Sequence, residues 1–187
     1  MEFLDLEYMG ELFFKQILSK DKIMKIKIKK ITKENFSQYG ELITINNGEA
    51  KSGNANTAKF FFDLAKIEVL GSDTNARLNI IKTIKRDFPL KIDMMEMHPF
   101  SSQVFLPYSK TKFLVMVAPG NNKPDLNKIE CFLVSNGDGI NFNAKIWHCP
   151  LTSMEDETFI MIDKKDSKTN IAIYDFTEEE VFNLDYE

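Results

Sequence analysis

Residues 94–107 read M-M-E-M-H-P-F-S-S-Q-V-F-L-P, and they carry much of the chain's capacity for chemistry. Side chains alternate across a strand, so Met94, Glu96 and His98 share one face while Met95 and Met97 share the other. A carboxylate and an imidazole on one apolar strand suit proton transfer near neutral pH, or an edge strand turned to water. Pro99 removes a ladder donor and ends the strand. Gln103 follows with an amide that can both donate and accept. The chain has only two histidines. The second, His148, lies in G-I-N-F-N-A-K-I-W-H-C-P-L (residues 139–151), also at the end of a strand-like run beside a proline. Glu96, His98 and His148 together offer one oxygen and two nitrogens to a divalent ion. With two histidines and no H-x-H pair, no resident cofactor is expected. Cys149 follows His148 but points to the opposite face, as a buried, inert thiol would.

The two stretches E-M-H-P-F-S-S-Q-V-F-L-P (96–107) and G-I-N-F-N-A-K-I-W-H-C-P-L (139–151) resemble the ureidoglycolate lyase family, also called ureidoglycolate hydrolase. The resemblance extends over about residues 24–170. It implies a mainly β fold, a cupin-like antiparallel barrel of the double-stranded β-helix type with short peripheral helices. It also implies a homodimer and the cleavage of ureidoglycolate to glyoxylate and urea in allantoin and purine degradation. Glu96, His98 and His148 are then the catalytic candidates, with Gln103, Asn141, Asn143, Lys82 and Lys164 as substrate-binding candidates. Lys164 and Lys82 stand where the family has arginine, and each could meet a substrate carboxylate as a point charge. The chain departs from the family at Asn143 and Cys149, where histidine is common. It departs again at Phe60–Phe62 before Asp63 and Leu64, where R-Y/F-H-D-L is common. Those losses leave two alternatives. One is a related enzyme acting on another small hydroxy or ureido acid. The other is a barrel that binds a small carboxylate without catalysis.

Composition agrees with a single globular domain. The chain has 187 residues, 43% of them hydrophobic and 28% charged, enough for a real core. A net charge of −4 argues against nucleic acid as a partner. No apolar run reaches the roughly 20 residues that span a membrane. The acidic start M-E-F-L-D lacks a basic leader, and the two cysteines make no disulfide framework, so a cytoplasmic location is expected.

The elements that position these residues follow from periodicity. Residues 1–23 carry an apolar stripe at helical spacing and read as an amphipathic helical extension to a single domain spanning 24–187. K-I-K-I-K-K-I (25–31) alternates as a half-buried strand. Thr32 caps a short helix running to Tyr39. Residues 46–56 are rich in Gly, Asn and Ser and read as a loop, and 59–70 as a strand. Residues 77–84 form a strand in which Asn79, Ile81 and Thr83 alternate with Leu78, Ile80 and Lys82. Further short strands recur about every ten residues, separated by P-G-N-N at 119–122 and N-G-D-G at 136–139. That spacing predicts a sandwich or barrel. T-E-E-E at 177–180 is a capping box that would open a C-terminal helix.

Overall fold

The structure, a computed structural model, describes residues 26–46, 48–72, 74–165 and 169–186. The helical extension expected over residues 1–23 lies outside the described residues. Among the described residues, sixteen strands carry the fold. The first half contains β1 (Ile28–Lys30), β2 (Gly40–Ile43), β3 (Lys51–Gly53), β4 (Ala58–Phe60), β5 (Ala76–Thr83), β6 (Leu90–Ile92), β7 (Met94–Met97) and β8 (Gln103–Pro107). The second half contains β9 (Phe113–Ala118), β10 (Glu130–Val134), β11 (Gly139–Phe142), β12 (Trp147–His148), β13 (Thr152–Ser153), β14 (Glu157–Lys164), β15 (Ala172–Asp175) and β16 (Phe182–Leu184). One four-residue helix, α1 (Lys33–Phe36), is capped by Thr32, whose side chain accepts from the Asn35 amide. The helix is shorter than the sequence predicts because Gly40 already belongs to β2.

Two sheets face each other. One runs β1-β10-β9-β12-β7-β15 with β13 beside β9, and the other runs β2-β11-β8-β14-β5. All pairings are antiparallel except β1 with β10. The arrangement is cupin-like, although the two sheets remain separate and do not close into one hydrogen-bonded ring. The turn from β10 to β11 uses Asn136 and Gly137, both at positive φ, which suits the N-G pair.

Alternation along single strands sorts the apolar residues into two cores. Phe113, Val115 and Val117 of β9 join Phe132, Phe105, Ile140, Phe142 and Phe159 between the sheets. Leu114, Met116 and Ala118 of the same strand join Cys131, Trp147 and Met95 on the outer side of the seven-stranded sheet. The small β6–β16 sheet closes over that second core with Leu90, Ile92, Phe182 and Leu184. Several local predictions change. The loop at 46–56 holds one strand of the β3–β4 hairpin, and 59–70 is a strand only at its start, in β4. The capping box at 177–180 forms, with the Thr177 amide donating to Glu180 Oε2 at 2.9 Å. It makes a turn and not a helix, because the apolar face that follows is needed at once in β16. No helix of the described residues is long and apolar enough to cross a membrane.

Candidate active site

The space between the sheets is apolar at one end and polar at the other. At the polar end β12 pairs with β7 so that His148 lies directly opposite Glu96. Both side chains point inward, as Val117 does beside His148 on β9. His98 follows β7 on the same face as Glu96. The carboxylate of Glu96 and the ring nitrogens of His98 and His148 offer atoms all within 4.8 Å of one another. The two imidazole rings lie 5.5 Å apart, and Phe142 stacks on His148 at 4.1 Å. Gln103, at the start of β8, joins them: its Oε1 lies 3.2 Å from His148 Nε2.

The hydrogen bonds give the two histidines different roles. His98 Nδ1 is 2.6 Å from the Asn170 carbonyl, an acceptor, so that nitrogen carries the proton. Nε2 is then the lone-pair position, and it is buried with no hydrogen-bond partner among the described residues. Asn170 is itself fixed, donating to Ser101 Oγ at 2.8 Å and accepting from the Phe100 amide at 2.8 Å. Burial holds the His98 imidazolium below its ordinary range, and the charge of His148 adds to that. The Asn170 carbonyl, Glu96 and Asp163 oppose the shift without reversing it. His98 is therefore held neutral, with its lone pair on the buried Nε2. His148 Nδ1 donates to the Ile146 carbonyl at 2.9 Å, which turns Nε2 toward Gln103 Oε1 and, at 3.6 Å, Glu96 Oε1. That nitrogen can keep a proton between two oxygen acceptors.

Glu96 behaves differently from a buried carboxylic acid. Burial alone would raise its pKa, but the hydrogen-bonded contact with His148 and the charge of that ring outweigh burial and hold it below the usual carboxylate range. It is an anion beside His148. The sign for stability follows. Between pH 6.5 and the lower folded value of His98, the unfolded chain binds more protons. Glu96 acts in the same sense below 4.5. Both contributions are present above those unfolded values and are lost as pH falls.

Four substrate-binding candidates sit elsewhere. The five-stranded sheet's register puts Phe142 beside Gln103 and Asn141 beside Val104. Phe142 faces the core, so Asn141 faces outward, where its Nδ2 donates to Glu41 Oε2 and the Lys66 carbonyl. Asn143, two residues on, is exposed and lines a cleft of about 190 Å³ with Glu41, Lys66 and Glu68. Lys82 is exposed on the outer face of β5, since Ile81 packs against the inner core. Lys164 is buried on the outer side, with Nζ 3.2 Å from the Leu70 carbonyl. In place of these lysines, the inner face carries Asp163, Arg77 and Asn79. Arg77 Nε and Nη2 donate to the two Asp163 oxygens at 2.7 and 3.0 Å, and Asn79 Nδ2 donates at 3.3 Å. Sequence reasoning passed over this trio because both faces of β5 are apolar in part, so alternation did not say which was inside. The dipeptide Asp163-Lys164 drew attention to its cation, whereas the parity of Phe159 and Met161 was the signal for Asp163. Cys149 falls in the outer core as expected, and burial pushes its thiol upward.

Comparison with known proteins bears on this geometry. The sequence model of ureidoglycolate lyase matches residues 23–183. The chain belongs to the ureidoglycolate lyase family. Its relatives include the ureidoglycolate lyase of Pseudomonas paraeruginosa, 32% identical over 161 residues, covering 86% of this chain and 95% of that one. The ureidoglycolate lyase of Brucella melitensis biotype 2 is 33% identical over 156 residues, covering 81% and 89%. Among solved structures, the Lactobacillus farciminis oxalate decarboxylase formate complex is similar with a TM-score of 0.36 and 13% identity, covering 68% of this chain and 34% of that one. Membership of this family makes the chain a lyase acting on a small molecule.

Proposed function

We propose that the chain cleaves ureidoglycolate to glyoxylate and urea, as a carbon–nitrogen lyase of the amidine-lyase class. The observation that carries this reading is His98: a neutral, tautomer-fixed imidazole whose Nε2 has no partner among the described residues, 5.5 Å from a second imidazole. In the reaction His98 Nε2 takes the proton of the carbinol hydroxyl. The oxygen lone pair forms the new carbonyl, the C–N bond breaks, and its electron pair stays on the urea nitrogen. His148 Nε2 returns a proton to that nitrogen, while anionic Glu96 stabilises the imidazolium and Gln103 orients the amide end. Proton count and charge balance across the two transfers. A cytoplasmic homodimer acting on a free small molecule belongs to the same reading.

Glu96, His98 and His148 also fit a divalent cation, since the orphaned His98 nitrogen and two further ligand atoms converge. Such an ion, when bound, would supply Lewis acidity to a substrate oxygen. The two-histidine proton relay needs no such ion, so no cofactor is proposed. The test is to give purified protein racemic ureidoglycolate and to follow glyoxylate and urea, with and without a chelator. Equal release of both products in the two arms is expected. No release from the parent overturns the lyase, and loss on chelation that one divalent ion restores overturns metal independence. A pH profile is the second check. Because His98 is held below its ordinary value of 6.5, the acid limb of kcat/KM falls below pH 6.5. An acid limb above 7 would remove His98 as the base.

A further inference from the structure

A substrate with a carboxylate needs an anchor, and the two lysines that sequence offered face the wrong way. The inner row of the five-stranded sheet supplies another group. Ile162 of β14 pairs with Val104 of β8, so one step further the same register sets Asp163 beside Gln103. Asp163 in turn pairs with Arg77 of β5. Phe142, Gln103, Asp163 and Arg77 therefore form one inward row across four strands. That row begins at the ring stacked on His148 and ends at a guanidinium. Adjacent strands lie about 4.8 Å apart, so the Gln103 and Arg77 backbones are about 10 Å apart. Asp163 lies between them and turns the Arg77 guanidinium by a two-point ion pair.

The details of the ion pair point the same way. Arg77 uses Nε–H and one Nη2–H on Asp163, its side-on edge. The other Nη2–H and one Nη1–H form the end-on edge, which matches a carboxylate with two parallel bonds. The Asp163 side chain is 4% exposed while that of Arg77 is 32% exposed. The counter-ion is thus sealed in, and the guanidinium it orients is reachable. Asn79 steadies the same carboxylate from the next inward position of β5.

We propose that Arg77, held by Asp163 and Asn79, binds the substrate carboxylate at the end of the inward row opposite Phe142. The assignment deepens the lyase reading and rests on it for the identity of the substrate. Asp163 neutralises much of the Arg77 charge, so the contact acts through directed hydrogen bonds more than through net charge. Its loss should cost about 10–100-fold in affinity, the scale of one charge-assisted anchor.

The test compares Arg77→Lys with the pair Arg77→Ala/Asp163→Asn, which avoids leaving a buried carboxylate alone. Each variant is checked for the parent far-ultraviolet spectrum. The expected result is a KM for ureidoglycolate raised about 10–100-fold with kcat within about threefold, because the anchor is made equally in ground and transition states. Affinity for glyoxylate, measured by calorimetry, should weaken in step. Guanidinium ion should restore part of the affinity in the Ala/Asn pair and none in Arg77→Lys. Unchanged KM and glyoxylate affinity in folded variants overturn the assignment, as does a KM rise that follows Lys82→Ala instead. A parent that binds glyoxylate but never turns over ureidoglycolate sinks the lyase and leaves Arg77 to be judged on glyoxylate affinity. A parent that does neither overturns both.

Discussion

His98→Ala lowers kcat for ureidoglycolate by about 10²–10⁴-fold, the usual contribution of one positioned general base. Among the described residues the ring makes a single hydrogen bond, through Nδ1 to the Asn170 carbonyl, so its removal leaves few groups unsatisfied. The fold should therefore persist, and the unfolding midpoint should move by far less than the rate does. His98→Gln refines the test: its amide nitrogen can reach the Asn170 carbonyl yet supplies no comparable base, so it should restore stability without restoring rate. If His98→Ala turns over at the parent rate, the base lies elsewhere and the tautomer held by Asn170 has no bearing on the chemistry.

Phe36→Ala should destabilise the fold by about 3–5 kcal/mol, the range for emptying an aromatic site in a packed core. Phe36 is fully buried at the apolar end between the sheets. Its ring meets Phe132 edge-on at 5.6 Å and lies 6.1 Å from both Tyr39 and Phe142. Phe132 and Phe142 are carried by strands in ladders and Tyr39 by the turn that leads into β2, so they cannot collapse far into the void. For a domain of this size the loss corresponds to a fall in Tm of roughly 6–20 °C. Thermal unfolding followed by circular dichroism measures it. A change under 1 kcal/mol would mean that α1 is not a wall of the core.

Much of this fold was legible because short strands announce themselves by period and by turn chemistry. β5 lies where alternation over residues 77–84 placed it. The single strand β9 reads as an unbroken hydrophobic run because it faces two cores at once. The motif residues Glu96, His98, His148 and Gln103 meet in space because each sits at a strand end or pair position on an inward face. Asn141 fails for a reason the sequence already contained: in I-N-F-N, Ile140 and Phe142 take the core face and both asparagines must take the other. The direction of the Glu96 shift was not legible, since it depends on an imidazole 52 positions away in the chain lying directly across a ladder. Asn170 could not be found either, because it acts through its backbone carbonyl, which every residue has.

The neighbours Asp163 and Lys164 have a consequence for how the chain avoids misfolding. Both are buried, one facing Arg77 on the inside and the other the Leu70 carbonyl on the outside. If β14 slipped by one residue along β5 and β8, the two would exchange sides. A lysine would then meet Arg77, and a carboxylate would be buried against a carbonyl oxygen. The aliphatic residues of β14 offer little resistance to such a slip, because Ile160 and Ile162 differ little from Phe159 and Met161 in their preference for burial. Two opposite charges side by side therefore discriminate between alternative pairings, as a key discriminates between locks, and they do so whether or not either adds to the stability of the correct one.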